Sequence, residues 1–128
     1  MPEESINDKM PVPTPTGVKY DEGKPPMAYI PPFALLEVGK VLGYGVGKYN
    51  PWNWAKGLAF SRILSATMRH ILAFLCGQDR DEESGLPHLA HAATNLLFIL
   101  EWCHSPTERH KLLSLDDRYY KSDVEQRQ

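Results

Sequence analysis

Residues 83–102 read ESGLPHLAHAATNLLFILEW. From Leu89 onward the stretch is apolar on almost every side of a helix, yet it carries His88, His91 and Asn95 at spacings of three and four. Side chains so spaced share one helical face. The rest of the helix has too little polar surface for this stripe to be an ordinary solvated side. Glu83, His88, His91 and Asn95 therefore stand in or beside a core helix, where each costs free energy unless it finds a partner. That partner is another protein group, a metal or a ligand.

Working outward, Ser84 is placed to cap this third helix, with Pro87 tolerated in its first turn. Ser105-Pro106 ends it. The preceding segment, SRILSATMRHILAFLCG at 61–77, has helical spacing, with Ser61 as the expected N-cap and Gly77 as the stop. His70 falls in its apolar row with Ile63, Ala66 and Ala73. A first helix is predicted over 33–44, opened by Pro32 and stopped by Gly43, Gly45 and Gly47. There Glu37 shares a row with Phe33, Val41 and Tyr44. A short amphipathic helix is expected within 107–121. No strand pattern or internal repeat is convincing.

The fold class is therefore all-α: a small bundle of three main helices plus short ones, expected to gain further burial as a homodimer or homotetramer. Residues 1–16, with four prolines, read as a flexible N-terminal arm. Residues 17–104 form the helical domain, and 105–128 a C-terminal short helix and tail. Residues 17–32 suggest either an ordered extended segment or a solvated leader.

Composition narrows the possible functions. A formal net charge of -2 and a pI near 6.2 give no broad basic field for nucleic acid. No apolar run reaches the roughly 18–20 residues of a membrane span, and the N-terminus lacks the basic and apolar regions of a signal peptide. Cys76 and Cys103 form no CxxC and are expected to be reduced core thiols. A cytoplasmic setting follows as the expectation, the host cytoplasm if the chain is viral.

Two further segments bear on chemistry. Asp79, Asp81, Glu82 and Glu83 form an acidic connection between the second and third helices. Asp79, Asp81 and Glu83 alternate and would share one side of an extended segment. Carboxylates suit Mg²⁺ or Mn²⁺, and added imidazole tilts the set towards Mn²⁺. Each such residue alone has a plainer reading as a hydrogen-bonded core group or a solvated loop; the joint arrangement points to a site. The loop GYGVGKYNPWNWAKG, 43–57, offers Lys48 and Lys56 for phosphate, Trp52 and Trp54 for stacking, and Asn53 for hydrogen bonding. It is neither a phosphate-binding P-loop nor a dinucleotide fingerprint, because the required glycine and the preceding strand are missing.

The segments GVKYDEGKPPMAYIPPFALLEVGKVLGYGVGKYNPWNWAKG, RHILAF and DEESGLPHLAHAATNLLFILEW, in that order over roughly 17–102, resemble the phage dATP/dGTP diphosphohydrolases, the MazZ-type family. That family is similar to the all-α MazG-like nucleoside triphosphate pyrophosphohydrolases, helical oligomers with divalent metal on acidic residues. Asn95-Leu96-Leu97-Phe98 resembles an Asp-Leu-Leu-Phe segment of that group, but Asn95 replaces the metal-binding aspartate and the second helix has no ExxE.

The resemblance implies hydrolysis of dGTP or dATP to the monophosphate and pyrophosphate, using Mg²⁺ or Mn²⁺. In phages that use 2-aminoadenine, the dGMP would feed synthesis of the modified nucleotide and the loss of dATP would keep adenine out. The family's acidic ligand set does not transfer; from the inward-facing residues and the acidic connection, Glu37, His70, Asp79, Glu83 and His91 are the expected metal ligands, and Glu37, Glu83 or His88 takes the proton of the attacking water. Lys24, Lys48 and Lys56 hold phosphates, and Asn53, Trp54 and Asn95 complete the nucleotide site. The alternative is a nucleotide- or metal-binding helical regulator without catalysis.

Overall fold

The computed structural model describes residues 16–106 and 109–121. It divides into two units, Met1–Ile30 and Pro31–Gln128. In the first unit, described from residue 16, an Asp21–Lys24 turn and a single 3-10 turn at Met27–Tyr29 are the local structure. Its side chains are exposed. The expected arm lies almost wholly outside the described residues.

The second unit is helical. Helix α1 spans Pro32–Lys48, α2 Phe60–Leu75, α3 His88–His104 and α4 Arg109–Leu113, with a 3-10 turn at Asn53–Lys56 between α1 and α2. Helix α3 is the centre, packed against α2, α1, α4 and that 3-10 turn. Among the described residues there is no strand, only one isolated bridge between Arg80 and Pro87.

Helix α1 runs four residues further than its glycines suggest. The Tyr49 amide closes it by bonding to the Gly45 carbonyl at 2.6 Å. Each glycine costs roughly 1 kcal/mol in a helix interior. Long-range contacts of the last two turns offset this: Tyr44 meets His91 edge-on and Lys48 pairs with Glu83.

Helix α2 ends as its sequence predicts. Gly77 takes φ +95°, its amide bonds to Phe74 O, and the Gln78 amide reaches Ala73 O. These are the two bonds of a Schellman cap, which needs a residue at positive φ. Its start differs from expectation. The helix begins at Phe60, and the Ser61 amide and hydroxyl both donate to the Asp117 carboxylate, 56 residues away. A remote carboxylate thus does the work expected of a local serine. Ser84 likewise does not cap α3. Pro87 stands at the N-cap position, and the His88 amide bonds instead to Asp79 O.

The core is small and aromatic. Phe60, Ile63, Trp102 and Leu112 are buried together, with Leu64, Phe98, Ile99, Cys103 and Leu115 packed around them. The Phe60 amide bonds to Leu115 O at 3.0 Å, so the segment after α4 closes over the start of α2. Gly57 permits this closure: at φ +80°, a Cβ there would lie 2.5 Å from Leu115 Cδ1. Cys103 borders the core, but Cys76 is exposed at the end of α2 and is not a core thiol. No helix of the described residues is long and apolar enough to cross a membrane.

Candidate functional site

The first turn of α3 faces the middle of α2, and the loop 77–87 folds over the junction. Asp81 N bonds to Leu86 O and Gly85 N to Asp81 O, both at 2.8 Å, while Arg80 donates to Gly85 O. These bonds make the acidic connection a compact turn rather than the extended segment expected, so its carboxylates diverge. Asp81 turns inward, and Asp79 and Glu83 stay exposed.

At this junction His70 Nδ1 lies 2.9 Å from His88 Nδ1. The His91 ring stacks on His70 with centroids 4.6 Å apart and planes 7° from parallel. His70, Asp81 and His88 each offer a donor atom, all within 4.8 Å of one another. His88 is buried, and its Nε2 has no hydrogen-bond partner among the described residues. His91 Nε2 meets the Ser84 hydroxyl at 2.7 Å and lies 4.0 Å from Asp81 Oδ2. Ser84 also donates its backbone amide to Asp81 at 2.9 Å, fixing that carboxylate.

The charge states suit a cation. Burial holds the His70 imidazole below its ordinary 6.5, and the nearby rings of His91 and His88 push it further down. Burial also lowers His91, against the opposing pull of Asp81. Burial pushes the Asp81 carboxyl up, but the Ser84 amide and hydroxyl outweigh it and keep Asp81 below the usual carboxylate value. Neutral imidazole and ionised carboxylate are the forms that bind metal. The 2.9 Å between the two Nδ1 atoms fits an N–H···N bond. The donor set of two imidazoles and a carboxylate therefore fits a divalent ion.

A pH dependence of stability follows from the imidazoles. With both folded values depressed, the unfolded chain takes up protons first, from about pH 6.5 downward. The contribution is complete above pH 6.5 and is lost as the pH falls through the window between that value and the lowered folded ones. Thermal melts should show Tm falling on acidification below about 6.5. His70→Gln should flatten that slope; an equally steep slope in the variant overturns the assignment.

The other expected site residues are dispersed around this centre. Glu83 sits at its edge, paired with Lys48 at 3.0 Å. That lysine and the Tyr44 hydroxyl hold the Glu83 carboxyl below its ordinary value. Glu37 is on α1, paired with Lys40 at 3.2 Å, and the structure does not bring it to the histidines. Asp79 contributes its carbonyl, through the His88 amide, rather than its carboxylate. Asn95 is half-buried on α3, one turn beyond His91. Asn53, Trp54 and Lys56 lie in the 3-10 turn against α3, and Trp54 stacks on Phe98 at 5.3 Å. Lys24 belongs to the N-terminal unit. Asp81 and Ser84 are the members that the residue pattern did not single out. Asp81's alternation with Asp79 and Glu83 was a signal, but only the turn tells it from them.

The helices and this cluster define an all-α protein with an imidazole–carboxylate centre able to hold a divalent cation. The chain belongs to the dATP/dGTP diphosphohydrolase family, whose N-terminal domain profile matches residues 14–111. Over 84 residues, 66% of the chain, it is 46% identical to a protein of Salmonella phage PMBT28 named dATP/dGTP diphosphohydrolase. The match spans 29% of that relative's length, so the chain corresponds to under a third of it. No solved structure matches significantly.

Proposed function

We propose that the chain hydrolyses dGTP and dATP to the deoxynucleoside monophosphate and pyrophosphate, using a divalent ion held by His70, Asp81 and His88. The observation that carries this reading is the convergence of those three donors within 4.8 Å, in a member of a family named for that reaction. Two imidazoles and one carboxylate favour Mn²⁺ or another transition ion over Mg²⁺. Such an ion supplies charge neutralisation at the phosphate oxygens and a water that loses its proton readily. One water and one triphosphate give one monophosphate and one pyrophosphate, with cleavage between the α- and β-phosphates.

The chain's own groups do the rest. Ser84 and Asp81 orient His91, whose ring stacks on His70 and shapes the junction. Glu83, ionised at the edge, accepts the proton of the incoming water. Its lowered value makes it a weak base, so the release of Lys48 to the phosphates strengthens it at the moment it is needed. Lys48 and Lys56 hold the leaving pyrophosphate as point charges, and Asn53 and Trp54 lie towards the nucleoside. The exposed apolar side chains Phe33, Leu36, Leu75 and Leu100 favour assembly of two or four copies. Removal of dATP and supply of dGMP in the infected cell's cytoplasm is the metabolic role this chemistry serves.

The full chain incubated with dGTP or dATP and Mn²⁺ should release pyrophosphate and the matching monophosphate. Orthophosphate as the sole inorganic product, or no turnover with Mn²⁺, Mg²⁺ or Co²⁺, overturns the proposal. Saturable nucleotide binding without product would favour the non-catalytic regulator.

A further inference from the structure

The polar stripe of α3 does not stop at the histidines. His91, Thr94, Phe98 and Glu101 follow one another at spacings of three and four, so they share one face, and Tyr44 places that face against α1. Lys48 of α1 meets Glu83 before α3, and Tyr44 meets His91, so the two helices run antiparallel. Further along the same seam lies an open cavity of about 360 Å³. Its walls are Val38 and Leu42 of α1, Trp54 of the 3-10 turn, and Leu97 and Phe98 of α3. The Trp54 and Phe98 rings are within 6° of parallel. Thr94 also lines it, but its hydroxyl is spent on Ala90 O at 2.7 Å. Glu101 and His104 supply polar groups at the far end.

We propose that this cavity receives the base of the nucleotide whose phosphates lie at the histidine cluster, and that Glu101 selects guanine over adenine. The proposal rests on the diphosphohydrolase reading. Three observations choose a base as the occupant. First, the cavity continues the seam that begins at His91; Glu101 stands ten residues on, about 15 Å of helix, a distance an extended nucleotide and a glutamate side chain bridge together. Second, its walls are flat, aromatic and aliphatic, as a base face requires. Third, the end has an acceptor that matches one purine. An ionised carboxylate offers two acceptors and no donor. Guanine presents N1–H and the 2-amino group side by side, a fork that meets both oxygens as an arginine does. Adenine places the acceptor N1 beside its 6-amino group, so one bond forms and two lone pairs oppose each other. Glu101 is exposed at the rim of the cavity, so the discrimination comes from the match of its two oxygens to the guanine edge.

The test compares the full-length wild-type chain with Glu101→Gln. Pyrophosphate release is measured with dGTP, dITP (which lacks the 2-amino group) and dATP, and dGMP and dAMP binding by tryptophan fluorescence. The wild type should rank dGTP, dITP, dATP. The glutamine, with one donor and one acceptor, should lower the dGTP-to-dATP ratio of kcat/KM by roughly 10- to 100-fold and shift the dGMP and dAMP affinities in the same sense. An unchanged circular dichroism spectrum and melting temperature show that the variant folds. An unchanged ratio in both readouts overturns the assignment. So does a change in sedimentation mass without a change in selectivity, which gives the cavity to a second copy of the chain. If no triphosphate is turned over, the diphosphohydrolase reading fails, and the monophosphate affinities still decide the cavity.

Discussion

His70→Ala and His88→Gln should each abolish Mn²⁺ binding, measured by calorimetry, and lower turnover by roughly a thousandfold or more. The figure follows from the several kcal/mol of charge stabilisation a bound ion supplies, at about 1.4 kcal/mol per decade of rate. Both residues should be needed because each supplies one of the three donors that lie within 4.8 Å of one another. His88→Gln keeps much of the volume of a buried side chain and an acceptor, so loss of activity with an unchanged circular dichroism spectrum assigns the defect to the centre. His104→Ala, more than four turns beyond His88 on α3, should leave Mn²⁺ binding intact. Full Mn²⁺ affinity in His88→Gln would remove the centre from the mechanism.

Trp102→Ala lowers stability by about 3–5 kcal/mol, a large share of the 5–15 kcal/mol typical of a domain. Trp102 is 1% exposed and packs on Phe60 and Phe98 with centroids 6.0 and 6.3 Å away. Its indole N–H also donates to Trp54 O at 3.0 Å. The variant loses the ring and leaves that carbonyl to find another partner. Thermal denaturation should show Tm lower by roughly 10–20 °C, whereas Trp52→Ala, at an exposed ring, should change it little. Equal shifts in the two variants would contradict this view of the core.

The helices were legible because apolar-rich segments with helical spacing are bounded by proline, glycine and serine, although several of their apolar side chains stay exposed. His70, His88 and His91 stood out as imidazoles in otherwise apolar rows, and the structure gathers all three. Other features depend on contacts that local sequence does not carry. Glycine propensity argued for an end to α1 near Gly43, but Tyr44 and Lys48 are held by residues 35 and more positions away. Ser61 and Ser84 both have the composition of a cap. One is engaged by Asp117, and the other serves His91 and Leu86. The acidic loop offered four carboxylates, and only its hydrogen-bonded turn selects Asp81. Glu37 shares a row with core residues, yet α1 contacts α3 on a face that leaves it beside Lys40.

The bond from Trp102 to the Trp54 carbonyl has a consequence for how ligands come and go. It ties a connecting segment to Trp102, one of the two most deeply buried rings among the described residues, so the wall of the proposed site is preorganised before anything enters. A guest then loses little freedom on its host's behalf. In the proposed base site, entry would be a matter of fit rather than of waiting for a loop to close, and residence would be governed by how well the guest's own edge is matched.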